Sequence, residues 1–178
     1  DLIGFKMIHK FRLPNHEELK SRLLEYMDTS DHGSIIEGPD RISKSDNYVP
    51  DTPDNKPYFN WFAHEVMEEI CNYYAIQAMR TSHVWYQQYY RGDQHAWHVH
   101  PQTSISSVYF VELPDPKFST EFFDVETRKT LQYDILEGDI ITFAGHIPHR
   151  SPPLISDERK TIIGANFIFD RVNTKLFD

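Results

Sequence analysis

The chain has 178 residues, a length that fits one domain, and its net charge of −9 argues against bulk attraction to a nucleic-acid backbone, which needs a cationic surface. Apolar residues make up 39% of it, with 12 Phe, 10 Tyr and 3 Trp, enough for a sizeable core, yet no stretch approaches the roughly 20 apolar residues of a membrane span. Cys71 is the only cysteine, so no intrachain disulfide can form and a reduced, cytoplasmic setting is expected.

Asp1 to Lys10 lack the charged start and apolar run of a secretory signal. The first residue is Asp1 rather than Met, which leaves room for residues upstream. Asn15 to Met27 reads as an amphipathic helix. Asn15 can cap it, Glu18 sits at the acid position of a capping box, and Leu19, Leu23, Tyr26 and Met27 share a face. A second helix is expected from about Phe59 to Met79, with Phe62, Val66, Ile70 and Tyr73 as its stripe. Between them, Thr29 to Tyr58 is rich in Pro, Asp, Ser and Gly. A connection that long in a compact domain is usually functional or disordered, so it is a candidate lid or substrate-selecting segment.

After Met79 the texture changes. His83 to Tyr90, Ile105 to Glu112, Phe118 to Val125, Gln132 to Leu136, Asp139 to Phe143 and Lys160 to Phe169 read as strands. Gly92, Pro101, Pro114, Gly138, Gly145 and Pro152 punctuate them. No repeat or low-complexity tract marks a second domain. The pattern predicts an α+β chain, one domain over residues 1–178, with a helical part over about 1–80 packed on a jelly-roll core over about 81–172.

The chemistry concentrates in three places. The first is Gly92-Asp93-Gln94-His95-Ala96-Trp97-His98-Val99-His100. In extended chain, residues two apart point the same way, so His98 and His100 can aim two imidazoles at one point. Neutral imidazole suits Fe, Zn, Cu and Ni. Alone the pair is a weak signal in a chain with 10 histidines. The second is Glu137 to Ser151, where a turn at Gly138 starts an apolar strand that leads to His149. The third is Arg159-Lys160-Thr161, where Arg159 and Thr161 share a face and could grip a carboxylate.

These segments resemble the core of the Fe(II)/2-oxoglutarate-dependent oxygenases, a double-stranded β-helix of the jelly-roll, cupin-like type. The resemblance covers Tyr89 to Phe169. It is strongest to members found in phages and marine bacteria that carry an HxHP element before a Ser-rich, Tyr-containing strand, here His98-Val99-His100-Pro101 and Ser104-Ile105-Ser106-Ser107-Val108-Tyr109-Phe110. Prolyl-hydroxylase-like relatives place Tyr-x-x-Gly ahead of the first metal histidine, as Tyr89-Tyr90-Arg91-Gly92 stands ahead of His98. The resemblance implies an iron site at His98, His100 and His149. It also implies that Arg159 anchors 2-oxoglutarate, with Thr161 and Tyr89 in support. It further implies oxidation, usually hydroxylation, of a small molecule or protein side chain, in the cytoplasm of a cell or of an infected host. One departure stands out: the family's usual His-x-Asp or His-x-Glu is His98-x-His100 here.

Other readings remain open on the residues. His98 and His149 could be core histidines satisfied by carbonyls, and His100 could face the substrate beside an open coordination position. Arg159 could form a surface ion pair, Tyr89 could pack in a sheet, and Thr161 could fill a strand. His95 and His146 are expected to be non-ligands, Trp97 a packing residue, and Asp157 to Lys160 a solvated turn apart from Arg159. A three-histidine metal cupin without 2-oxoglutarate is a rival: Gly92 to His100 and Gly138 to His149 resemble its two motifs. No acid follows His100 between Pro101 and Ser107, however, and a cupin has no need of Arg159. A metal-free jelly-roll binding module is a second rival.

Overall fold

The computed structural model describes residues 8–176. After a first strand, β1 (Ile8–Arg12), comes helix α1 (His16–Thr29). Glu17 and Glu18 in its first turn favour the positive end of the helix dipole, although Asn15 makes no side-chain capping bond. Helix α2 (Phe59–Tyr73) buries Phe62, Ala63, Val66 and Ile70. Phe62, Val66 and Ile70 are fully buried, each contributing about 1.5–3 kcal/mol relative to exposure.

Between the helices lie the short strands β2 (Ile35–Glu37), β3 (Asp40–Ile42) and β4 (Lys44–Ser45). They are followed by β5 (Ile76–Tyr89), β6 (His95–His98), β7 (Ile105–Glu112), β8 (Glu121–Asp124) and β9 (Lys129–Gln132). The chain ends with β10 (Asp139–Ala144), β11 (His149–Ser151) and β12 (Lys160–Val172). Six strands form one antiparallel sheet in the order β1-β10-β7-β12-β5-β4, and four form another in the order β6-β11-β8-β9. Strands β2 and β3 make a separate hairpin, which Arg41 bridges to Gln94 next to β6.

Alternation along the strands divides the larger sheet between two cores. One face carries Val84, Tyr86, Tyr109, Ile163 and Phe167 against the two helices. The other carries Tyr89, Phe110, Phe143 and Ile162 toward Phe122 of the smaller sheet and the loop residues Ile147 and Leu154. The candidate site lies between this second face and the smaller sheet.

Three expectations need correction. Helix α2 stops at Tyr73 rather than Met79, because Ala75 turns into the left-handed region (φ 55°) and Ile76 begins a long strand. That strand pairs with β12 from Lys160↔Tyr89 to Val172↔Ile76, a ladder that overrides local helical preference. The expected strand over 132–136 lies earlier, at β9; Leu136 N–H instead donates to the Asp139 carboxylate (2.9 Å). The long connection over 29–58 is partly ordered into strands. It is tied to β5 by Lys56, whose Nζ donates to Val84 O and Asp51 Oδ1, and by the Tyr58 hydroxyl, which donates to Asp46; Asp46 in turn accepts from Tyr86 N–H.

Gly145 joins this frame to the site. Its N–H donates to Ser104 O (3.1 Å), and its carbonyl accepts from His100 N–H (2.8 Å). A Cβ there would sit 2.5 Å from Thr103 O and 3.0 Å from His100 O, both backbone atoms that no rotamer change can move. Gly145→Ala should cost about 1–3 kcal/mol of stability, seen as a Tm several degrees lower. It should also weaken divalent-metal binding, because the displaced backbone carries His100. Wild-type Tm and metal affinity would contradict this coupling.

Candidate functional site

Strands β6 and β11 are neighbours, and their register sets His98 opposite His149 with ring centroids 4.2 Å apart. His100 lies just past the end of β6. Its ring centroid is 5.1 Å from that of His98 and 5.0 Å from that of His149. One nitrogen from each ring falls within 4.8 Å of the others. The three residues expected at the metal are therefore brought together.

The hydrogen bonds around them favour ligation. His98 Nδ1 lies 2.7 Å from Ala96 O, and His149 Nδ1 lies 2.9 Å from Ile147 O. A carbonyl can only accept, so each Nδ1 carries the proton and each Nε2 presents its lone pair. His100 Nδ1 is 3.3 Å from the side-chain amide of Asn166, whose oxygen accepts from Ser106 Oγ (2.8 Å). That amide can serve either tautomer of His100 by turning over, since a serine hydroxyl can donate or accept.

Burial holds these rings neutral. Desolvation first, and neighbouring imidazoles second, push His100 down to about 4 and His149 down to about 2. Desolvation also lowers His98. Three neutral imidazoles converging on one point fit a divalent transition metal, including iron(II). His95 stacks on His98 (3.8 Å between centroids) and is not among the converging donors. His146 is exposed. Trp97, 40% exposed, lies under the Arg150 guanidinium (4.9 Å) and beside Phe123 (6.0 Å).

Tyr89, Gln87, Trp85, Ile162 and Gly164 line the same pocket as the three histidines. The Tyr89 hydroxyl donates to Gln87 Oε1 (2.6 Å). Arg159 and Thr161 are not brought there. With Ile162 and Gly164 facing the pocket, alternation turns residues 159 and 161 away. Arg159 instead forms ion pairs with Glu112 (2.7 Å) and Asp28 (2.6 Å), and the Thr161 hydroxyl also donates to Glu112. The expectation that both line the site is corrected by this pairing.

The residue that sequence reasoning missed is Lys160, read as part of a solvated turn. It is only 2% exposed. Its Nζ donates to Phe118 O (2.8 Å) and Ser151 Oγ, and lies 4.6 Å over the Tyr89 ring. Among the described residues no carboxylate pairs with it within 4 Å. Desolvation pushes its ammonium down to about 7. The available signal was the same alternation: Lys160, Ile162, Gly164 and Asn166 form one row.

No family model matches the chain, and no curated protein matches it by sequence. Solved structures do match. The non-heme alpha-ketoglutarate-dependent epimerase SnoN from nogalamycin biosynthesis aligns with TM-score 0.74 at 11% identity, over 92% of this chain and 78% of its own. The viral collagen prolyl hydroxylase of Paramecium bursaria Chlorella virus-1, in its 2-oxoglutarate complex, aligns with TM-score 0.62 at 12% identity, over 96% of this chain and 100% of its own. HygX from Streptomyces hygroscopicus, with nickel, 2-oxoglutarate and hygromycin B bound, aligns with TM-score 0.65 at 10% identity, over 90% of this chain and 82% of its own. At such identities the likeness is one of fold. The chain is mostly β-sheet with two helices, shares the fold of these enzymes, and brings three histidines together where a metal could bind.

Replacing His149 or His98 with Ala should remove most bound divalent metal, as read by metal analysis after equilibration. Loss of one ligand exceeds the ten- to hundredfold that removing a ligand's supporting bonds costs. Protons compete with metal only near and below an imidazole's pKa. With burial depressing these values, the loss of metal affinity on acidification should set in at a lower pH than for exposed histidines. A steep loss between about pH 7 and 6 would mean that the rings titrate as exposed histidines do.

Proposed function

We propose that this chain is an iron(II)/2-oxoglutarate-dependent oxygenase built on one jelly-roll domain. His98, His100 and His149 hold the metal, and Lys160 binds the distal carboxylate of the co-substrate. The reaction is R–H + O2 + 2-oxoglutarate → R–OH + succinate + CO2. Bound iron(II) supplies the redox chemistry that activates O2 and splits the 2-oxo acid. The fold supports this reading through its likeness to enzymes that bind 2-oxoglutarate.

The observation that carries the proposal is the buried cation. An ammonium removed from water without a carboxylate partner is costly, and its lowered pKa reflects that cost. A dicarboxylate ligand offers the missing charge. Lys160 shares its strand face with Ile162 and Gly164 of the histidine pocket, so a molecule bound to it can extend toward the triad. Ser151 and Phe118 O fix the ammonium, and the Tyr89 ring walls it from water. His98 and His149, each locked by a carbonyl, present Nε2 without reorganisation. In place of the usual carboxylate, His100 leaves the metal one unit more positive, which strengthens its pull on the anionic co-substrate.

The donor set itself favours the second reading, a three-histidine dioxygenase that needs no 2-oxo acid. Such an enzyme has no use for Lys160. Calorimetric titration of 2-oxoglutarate into the anaerobic, metal-loaded protein distinguishes the two. Lys160→Met should weaken binding at least about tenfold, since a charged hydrogen bond is worth about 1.5–3 kcal/mol. Arg159→Ala should leave it nearly unchanged. Equal affinity in Lys160→Met would place the anchor elsewhere.

Binding should also depend on pH. Lys160 in the free protein ionises near 7, and a bound carboxylate raises that value. Above about pH 7, binding therefore takes up a proton, and affinity should fall as pH rises toward 9. The proton uptake is read from binding heats in buffers of different ionisation enthalpy. Buffer-independent heats at about pH 8 would contradict a neutral resting Lys160.

A further inference from the structure

A second cavity, of about 200 Å³, adjoins the triad. It lies between the β2–β3 hairpin and the face of β5, and it shares His100, His95, Trp85 and Gln87 with the histidine pocket. A molecule seated in it reaches the metal position from the His100 side, and Lys160 does not line it. Lys160 pairs with Tyr89 and Asn166 pairs with His83, six residues further along β12. At about 3.3 Å per residue this sets Asn166, which lines the cavity, about 20 Å along the strand from Lys160. The second cavity is therefore placed for the substrate rather than the co-substrate.

Its walls carry one sign of charge. Glu37 and Asp40 line it, and no lysine or arginine does. The hairpin's own Arg41 turns to Asp93 (3.4 Å). His83 is held by Asp51 (2.6 Å), the carboxylate that also pairs with Lys56. Glu37 makes no ion pair or side-chain hydrogen bond among the described residues. Asp40 is fixed at one oxygen by Ala96 N–H (2.8 Å), while its other oxygen is 3.8 Å from His95, beyond hydrogen-bonding distance. One exposed aromatic ring completes the wall, Tyr48, which is 76% exposed; Trp85 lies beneath it packed on Gly164 and stacked on His83 (5.0 Å between centroids). Asn47 and Asn166 add neutral amides. Two carboxylates with unengaged oxygens beside an exposed tyrosine ring recognise a compact cation through ion pairs and cation–π contact.

We propose that the substrate carries a positively charged amino or guanidino group, held between Glu37, Asp40 and Tyr48 beside the metal site. This rests on the oxygenase reading of the same site. The group could belong to a free polyamine-like molecule or to a lysine or arginine side chain, and the chemistry of recognition is the same for both.

The test is calorimetric binding to the zinc-loaded, 2-oxoglutarate-bound protein, where no turnover interferes. The free-amine arm uses cadaverine and agmatine against diacetylcadaverine and glutarate. The side-chain arm uses a lysine-centred pentapeptide against its Nε-acetylated form. Cationic probes of one arm should bind in the millimolar range or tighter, with at least about tenfold preference over their uncharged counterparts. Asp40→Asn keeps the acceptor for Ala96 N–H; combined with Glu37→Gln, it should remove that preference. Metal content and 2-oxoglutarate affinity report that the variant is folded. Equal binding of charged and uncharged probes overturns the inference. So does silence from every cationic probe up to about 10 mM, or a preference that survives the double variant. If 2-oxoglutarate itself fails to bind the wild-type protein, the oxygenase reading has failed instead.

Discussion

The antiparallel pairing of β5 with β12 is the constraint on which the rest of the site depends. It sets Lys160 opposite Tyr89, Ile162 opposite Gln87, Gly164 opposite Trp85, and Asn166 opposite His83. Because side chains alternate, these eight residues face one way while Ile163, Ala165 and Phe167 face the helices. A slip of one residue would bury Arg159 and Thr161 in the pocket and expose Lys160 to the helix side. Packing guards against that slip on both faces. Gly164 is part of the same defence: a Cβ there would lie 2.6 Å from the Trp85 ring. The smaller sheet supplies the other half of the site by setting His98 against His149.

Electrostatically, the site is a set of buried bases waiting for partners. Three imidazoles are held neutral by burial and by one another, and an ammonium is pushed toward neutrality at the end of the ladder. Each of these states costs free energy in the absence of ligand, and each is relieved by a specific class of ligand: a cation at the imidazoles, an anion at Lys160. A molecule that is anionic and also chelates metal satisfies both demands at once. Arg159 stands outside this arrangement. Its charge is spent on Glu112 and Asp28, joining the end of α1 to β7 and β12.

Much of this was legible in the sequence. Helix α1 follows its apolar stripe, and Ile105 to Glu112 is a strand to the residue. The three converging histidines could be named because the resemblance to the oxygenases singles out His98, His100 and His149; the His98-x-His100 spacing alone is a weak signal. Lys160 was not found, and the reason is physical. A charged residue beside Asp157, Glu158 and Arg159 looks solvated, and only the register of β12 decides which cation turns inward. The end of α2 was missed because a left-handed Ala75 has no composition signal, unlike glycine. The hairpin that walls the second cavity lay in a polar stretch whose order comes from tertiary anchors such as Lys56 and Tyr58, not from periodicity.

The most direct test of iron-bound 2-oxoglutarate is optical. Under anaerobic conditions, the iron(II)-loaded protein is titrated with 2-oxoglutarate while the visible spectrum is recorded. Chelation of iron(II) by a 2-oxo acid creates a metal-to-ligand charge-transfer band. That band should appear, saturate with 2-oxoglutarate, and be absent in His149→Ala. A protein that holds iron at the three histidines and develops no such band at saturating 2-oxoglutarate would contradict the assignment.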